Sequence, residues 1–208
     1  MHSVSFRKNN ITILLIGVLL ATLGWYFAFG VYVGVFWYKL AITIIAVSLF
    51  ALFFIKVSLK INYKSLIEGV ISAAILYFIF YIGNLVAPYI VGQSAAQVNM
   101  IYSLGEGTNK LFVFLLLFFI TSPGEELFWR AFLQGGLTKH IGDKKALVVS
   151  SLIYGFVHIF SLNLMLILSA LVAGFFWGLQ YYLRKDITAN IISHAIFSSF
   201  IFAVVPIS

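Results

Sequence analysis

The chain has 208 residues, of which 62% are hydrophobic and 9% are charged, and it carries a formal net charge of +7. Soluble domains contain about 25% charged residues, so this composition excludes a soluble globular protein and predicts an integral membrane protein. The absence of cysteine excludes disulfides, thiolate catalysis and zinc sites built on cysteine.

Long apolar runs divide the chain into seven predicted spans, with no repeat or linker that would separate domains. We therefore predict an all-α fold, a polytopic membrane bundle forming one domain over residues 1–208. The first apolar run is longer than the 7–15 residues typical of a signal peptide, so we expect an uncleaved span. The predicted spans cover about residues 11–29, 40–55, 69–91, 109–137, 146–160, 162–183 and 187–206.

The segments between the spans carry two further predictions. Lys56, Lys60 and Lys64 are four residues apart, so we expect one basic stripe on a helix at the membrane surface. Residues 92–108 are polar and are expected to link the third and fourth spans.

The basic residues alternate between the two sides of the predicted bundle. Ten of the 13 Lys and Arg residues lie in the N-terminal segment or in the loops after the second, fourth and sixth spans. Only Lys39 and Lys110 lie on the other side. Because cytoplasmic loops are enriched in Lys and Arg, we predict a cytoplasmic N-terminus and a C-terminus outside, and no role in nucleic-acid binding.

Residues 121–130, Thr-Ser-Pro-Gly-Glu-Glu-Leu-Phe-Trp-Arg, place three ionisable groups inside the fourth span. Such groups cost at least a few kcal/mol at membrane depth, so they are rare, paired and usually functional. On a helix, Glu126 and Arg130 stand at i and i+4 and can pair, whereas Glu125 points about 100° away. Pro123 is expected to kink the helix and open space beside Glu125. A buried ion pair that only joins two helices is the alternative, but it leaves one glutamate unexplained.

Two histidines lie inside later spans, His158 in the fifth and His194 in the seventh. At ~1.5 Å per residue, Glu125 and His158 lie roughly 18 Å and 20 Å from the inner ends of their spans. His194 and Arg130 lie roughly 10 Å from theirs. We therefore predict one shared polar site, with Glu125 and His158 at one level and Arg130 and His194 nearer the cytoplasm.

Two kinds of hydrolytic chemistry fit these side chains. A carboxylate beside an imidazole can activate water, and a second imidazole can donate a hydrogen bond to an oxyanion, so a metal is not required. The alternative is zinc bound by His158, His194 and Glu125, a ligand set that leaves the fourth position open. The sequence has no HExxH motif and no Gly-x-Ser-x-Gly elbow.

Three motifs resemble the CAAX protease and bacteriocin-processing family of intramembrane glutamic endopeptidases. The family pattern is EExxxR, then FxxxH, then HxxxN or HxxxD, on three spans. This chain has Glu125-Glu126-Leu-Phe-Trp-Arg130, Tyr154-Gly-Phe-Val-His158 with Tyr for Phe, and His194-Ala-Ile-Phe-Ser198 with Ser for Asn or Asp. The resemblance covers roughly residues 112–202, so we expect N-terminal spans over about 1–108 and a family core over about 109–208.

The resemblance implies a role for each matched residue. Glu125 and His158 would activate water, and His194 and Ser198 would stabilise the oxyanion. The supporting residues would be Glu126, Arg130 and Tyr154. A serine hydroxyl is one shorter donor where the family has an amide or a carboxylate, so the oxyanion role of position 198 is weakened.

The implied function is an intramembrane endopeptidase of the CAAX prenyl endopeptidase type, in a bacterial cell membrane. Its partners would be the lipid bilayer and a membrane-associated or lipidated peptide or protein, cut near the cytoplasmic face. Two alternatives have the same residues: a non-proteolytic scaffold or bacteriocin-immunity protein of this fold, and a proton-coupled transporter, since Glu and His chains also relay protons.

Overall fold

The computed structural model describes residues 4–207, in which eight helices and two short strands are present. It confirms the predicted all-α, polytopic bundle. The elements are β1 Val4–Phe6, α1 Ile11–Gly30, α2 Phe36–Phe54, β2 Ile55–Val57, α3 Tyr63–Ile90, α4 Ser94–Ser103, α5 Lys110–Ile141, α6 Asp143–Phe156, α7 Leu164–Arg184 and α8 Ile187–Val204.

Six of the described helices, namely α1, α2, α3, α5, α7 and α8, are long and apolar enough to cross a membrane. The predicted fifth span, about residues 146–160, is not among these six; it corresponds to α6, which has 14 residues, and to the 3-10 turn Val157–Ser161 that follows. At ~1.5 Å per residue α6 covers about 21 Å, less than the hydrocarbon core of about 30 Å. The described residues therefore form six candidate spans and two shorter helices, α4 and α6.

Polar contacts gather the N-terminal segment and three interhelical loops at one end of the bundle. The side chain of Asn9 donates to the carbonyl of Gly136 at 3.1 Å, and Ser65 Oγ donates to Asp186 Oδ2 at 2.6 Å. We call this the basic end, because it carries the ten basic residues predicted to share a side: Arg7, Lys8, Lys56, Lys60, Lys64, Lys139, Lys144, Lys145, Arg184 and Lys185.

The opposite end is formed by the remaining loops and by α4. Asn163, just before α7, donates to the carbonyl of Gln97 in α4 at 2.8 Å. The backbone N–H of Ile207 donates to the hydroxyl of Tyr102 at 3.0 Å. The segment predicted as a polar link thus contains a helix, α4, that is tied to α7 and to the residues after α8.

The predicted helical stripe of three lysines is wrong. Lys56 lies in β2, where it is paired with Ser5 of the antiparallel strand β1. Lys60 lies in the loop after β2, and α3 begins only after Asn62, whose side chain accepts a hydrogen bond from Ser65 N at 3.0 Å. Pairing with β1 takes the backbone groups that a helix through Lys56 would have needed.

The two most buried spans, α5 and α8, form the centre of the bundle. The most apolar stretch of α8 is 61% buried and that of α5 is 50% buried, against 17% for the peripheral α3. Helix α8 packs along α3, and α6 packs along α7. A Cβ added at Gly174 of α7 would lie 2.9 Å from the Tyr154 ring, so glycine lets α6 and α7 approach closely and brings Tyr154 to the centre.

Candidate active site

Helix α5 departs from α-helical geometry on both sides of its glutamate pair. Leu117–Thr121 and Leu127–Gln134 are π-helical, and the α-helical segment Ser122–Glu126 lies between them. Pro123 has no N–H to donate to the preceding turn, and the wider turn before it accommodates that loss. The sequence predicts a kink at Pro123, and the structure has a π-helical turn directly before it.

Gly124 allows another helix to approach α5 directly beside the glutamates. A Cβ added at Gly124 would collide with the side chains of Ile44 and Ser48 in α2. Because glycine has no Cβ, α2 packs against α5 at this level and closes one side of the site.

Glu126 is fully buried and is bonded through both carboxylate oxygens. Oε1 lies 2.8 Å from Nδ1 of His194 and 3.2 Å from Nη1 of Arg130. Oε2 accepts a hydrogen bond from Asn190 Nδ2 at 3.1 Å. Asn190 and His194 are one turn apart on α8, so Glu126 joins α5 to one face of α8. The predicted pairing of Glu126 with Arg130 is present, and two further donors complete it.

Arg130 ties α5 to both α6 and α7, and its side chain is only 2% exposed. The centre of its guanidinium lies 4.7 Å from the ring centroid of Tyr154 and 5.5 Å from that of Trp177. Nη2 donates to the carbonyl of Gly174 at 3.4 Å. Stacking on aromatic faces and pairing with a carboxylate both suit a planar guanidinium, so lysine would not replace Arg130.

Glu125 has a different environment from its neighbour. It is buried and lines the floor of a cavity, with the hydroxyl of Tyr154 beside its carboxyl group. Its Oε2 has no hydrogen-bond partner among residues 4–207. Buried carboxylate oxygens are normally bonded to protein or water, so Oε2, which is itself occluded, is an unsatisfied acceptor on a residue that lines the cavity.

His158 lies at the end of α6 and also lines the cavity, but both of its ring nitrogens are engaged. Nδ1 lies 2.8 Å from the carbonyl oxygen of Tyr154, and Nε2 accepts a hydrogen bond from Trp25 Nε1 at 3.2 Å. A carbonyl only accepts, so Nδ1 carries the proton and Nε2 carries the lone pair. The ring is therefore neutral, and its lone pair is directed at Trp25 of α1.

His194 and Ser198 are one turn apart on α8 and line the same cavity. The His194 ring stacks on Trp177 with ring centroids 3.7 Å apart and an interplanar angle of 17°. Because Glu126 holds Nδ1, Nε2 is the nitrogen of His194 that is left for a ligand in the cavity. Ser198 is 7% exposed, and its hydroxyl is the next polar group along that wall.

The cavity has a volume of about 490 Å³ and is mostly apolar. Its walls come from the end of α1, the first halves of α2, α5 and α7, the second halves of α3 and α8, and α4. These segments all lie between the middle of the bundle and the opposite end. If the basic end is cytoplasmic, as predicted, the cavity extends from Glu125 away from the cytoplasm. The predicted orientation and the predicted cleavage near the cytoplasmic face are therefore incompatible.

The structure brings together all seven residues predicted to form the site, from α5, α6 and α8. Glu125 and His158 line one cavity, as their depths indicated, but they form no hydrogen bond with each other. Sequence reasoning missed Asn190 and Trp25. Asn190 stands four residues before His194, so the stripe of Asn190, His194 and Ser198 was a usable helical signal. Trp25 lies 133 residues from His158, and no local pattern connects them.

Two histidines and one glutamate, the residue types of the alternative zinc site, line the cavity. Within residues 4–207, no three His, Asp or Glu side chains are placed to hold one metal ion. Of the alternative ligand set, His158 Nε2 is directed at Trp25, and His194 is bonded to Glu126 through Nδ1. Binding zinc would require His158 to give up its contact with Trp25, so the present arrangement does not fit zinc.

Comparison with known families adds an independent observation. The sequence model of the family described as "Type II CAAX prenyl endopeptidase Rce1-like" matches residues 107–200. No curated protein and no solved structure matches the chain. The matched segment contains all seven predicted site residues, whereas Trp25 and the other α1–α3 residues lie outside it. The segment 107–200 thus resembles the type II CAAX prenyl endopeptidase Rce1-like family, in agreement with the three motifs.

Proposed function

We propose that the protein is an intramembrane endopeptidase that cleaves a membrane-associated or lipidated peptide with water activated by Glu125. One observation carries this proposal. Of two adjacent buried carboxylates, Glu126 is held by three side chains and does not line the cavity, whereas Glu125 lines the cavity and keeps one oxygen without a hydrogen-bond partner. A general base must lie within hydrogen-bond reach of the water that it deprotonates.

The first chemical step forms a tetrahedral intermediate. A water molecule bound at the Glu125 carboxylate transfers a proton to it while the water oxygen attacks the carbonyl carbon of the scissile amide. The carbonyl π electrons move to oxygen and form an oxyanion. Donors placed around such an oxyanion lower the barrier by about 3–4 kcal/mol each in characterised enzymes.

His194 is the donor that we assign to the oxyanion. Since Nδ1 donates to Glu126 at 2.8 Å, Nε2 can donate only when the ring carries a second proton. The Glu126 carboxylate lies at Nδ1, and the Trp177 ring is stacked on the face of the imidazole. Glu126 therefore supports catalysis through His194, and the Ser198 hydroxyl is a second, shorter donor on the same helix face.

The second step breaks the amide bond. Protonated Glu125 returns its proton to the leaving nitrogen, the C–N bond breaks, and the carbonyl re-forms. The products are a carboxylic acid and an amine, and Glu125 is again a carboxylate. In this scheme His158 has a positioning role, because its Nε2 lone pair accepts a hydrogen bond from Trp25. Glu125 therefore acts as the base without direct help from the imidazole.

Membrane peptide profiling tests this proposal. Cells that contain the wild-type protein, Glu125→Gln or Glu106→Gln are compared for peptides that accumulate in the membrane fraction. Glu106 is an exposed glutamate in the loop before α5, so Glu106→Gln makes the same chemical change away from the cavity. We expect uncleaved precursors with Glu125→Gln and a wild-type profile with Glu106→Gln.

The main competitor is a non-proteolytic membrane protein of the same fold. The engaged nitrogens of His158 and the serine at position 198 favour it, because both differ from what the protease pattern implies. In that case Glu125→Gln leaves the peptide profile unchanged even when protein levels are equal.

A further inference from the structure

The cavity and the basic residues lie in opposite halves of the bundle. The polar floor of the cavity, with Glu125, Tyr154 and His194, lies near mid-bundle, and the walls run toward α4. Within residues 4–207, no residue of the basic end lines the cavity. On the basic side, the floor is closed by the buried network of Glu126, Arg130 and Asn190. The cavity therefore extends from Glu125 toward the opposite end and not toward the basic end.

The charge distribution orients the two ends. The basic end carries ten Lys and Arg residues, whereas the opposite end carries Lys39 and Lys110. One of these two, Lys39, is buried and donates to the backbone carbonyl of Val31, so its charge is partly satisfied within the protein. The loops at both ends are short, which is the case in which Lys and Arg counts determine orientation. The basic end therefore faces the cytoplasm.

The side chains that line the cavity limit which peptide segments can enter it. Among the described residues the walls contain no Lys or Arg, and the one acidic lining residue is Glu125 at the floor. The walls are built from aliphatic and aromatic side chains such as Ile79, Phe80, Leu166 and Phe202. Apolar pockets of this kind select ligands by burying apolar surface, and a charged segment would lose its hydration without a partner.

We infer that the substrate is an apolar peptide segment that enters the cavity from the extracytoplasmic side of the membrane. This inference rests on the proposed function for the cleavage itself. The inference adds the side of the membrane from which the substrate comes and the kind of peptide segment that the cavity accepts. Substrates would then be exported or membrane-inserted peptides, not proteins that remain in the cytoplasm.

Thiol labelling in whole cells tests the direction of entry, and it needs no enzymatic activity. The natural chain has no cysteine, so single-cysteine variants report one position each. Asn84→Cys places a thiol on the cavity wall, and Ser103→Cys places one at the exposed end of α4. Lys144→Cys is the matched control at the exposed basic end. The reagent is a small, cationic methanethiosulfonate that does not cross membranes.

We expect Asn84→Cys and Ser103→Cys to react in intact cells and Lys144→Cys to react only after permeabilisation. An uncharged Leu/Ala peptide, capped at both ends, should slow labelling of Asn84→Cys, whereas a Glu-rich peptide of equal length should not. The inference is overturned if Asn84→Cys is labelled only after permeabilisation, if it is not labelled at all, or if the Glu-rich peptide protects better. The proposed function is judged separately, by the peptide profile of Glu125→Gln.

Discussion

Replacing Arg130 by alanine removes the guanidinium that is paired with Glu126. Glu126 is 0% exposed, so its carboxylate cannot regain water when the guanidinium is lost. Breaking a buried ion pair by removing one partner costs about 3–5 kcal/mol. His194 and Asn190 still donate to Glu126, which favours the lower part of that range, but the stacking on Tyr154 and Trp177 is lost as well. We therefore expect a loss of about 3–5 kcal/mol in the free energy of unfolding.

The assay is thermal unfolding of the purified protein in one detergent. For a chain of this size, 1 kcal/mol corresponds to about 2–4 °C in Tm, so Arg130→Ala should lower Tm by roughly 6–20 °C. Glu125→Gln is the matched comparison, because the free Oε2 of Glu125 has no hydrogen bond to lose, and it should cost less than about 1 kcal/mol. Equal destabilisation by the two variants would refute the assignment of Glu125 to catalysis and of Arg130 to stability. It would favour a purely structural ion network.

Three further predictions concern single features of the site. Ser198→Asn should keep or raise turnover, because asparagine offers a longer donor to the oxyanion and the position lines the cavity; a hundredfold loss would exclude position 198 from that role. Thorough chelation, verified by metal analysis, should leave turnover unchanged, and activity that is lost and then restored by zinc would support the His158, His194 and Glu125 zinc site. Trp25→Phe removes the N–H donated to His158 and should cost about 1–3 kcal/mol in stability while turnover changes less than tenfold; a loss as large as that of Glu125→Gln would mean that His158 acts directly in catalysis.

The parts of the site that depend on helical spacing were predictable from the sequence. The pairing of Glu126 with Arg130 follows from their i, i+4 positions, and the divergent direction of Glu125 follows from the 100° step. The shared level of Glu125 and His158 followed from counting residues along their spans. The sequence also predicted which ten basic residues share one end, because successive spans alternate in direction.

Contacts between distant segments were not predictable in this way. The pairing of β1 with β2 depends on two short segments whose local patterns are weak, and it displaced the expected lysine helix. The contact of Trp25 with His158 depends on how α1 packs against α6, which no spacing rule encodes. The 3-10 turn at Val157–Ser161 was missed because hydropathy does not show where a helix tightens.

The central claim is that Glu125 activates the water that cleaves the peptide. Its most direct test is the single-turnover rate of purified wild-type and Glu125→Gln protein on one peptide found by membrane profiling, under conditions in which both unfold at the same temperature. Removing a general base lowers the rate by about 10²–10⁴-fold, so we expect a loss of at least two orders of magnitude. Glu125→Gln protein that retains the full wild-type rate would contradict the claim.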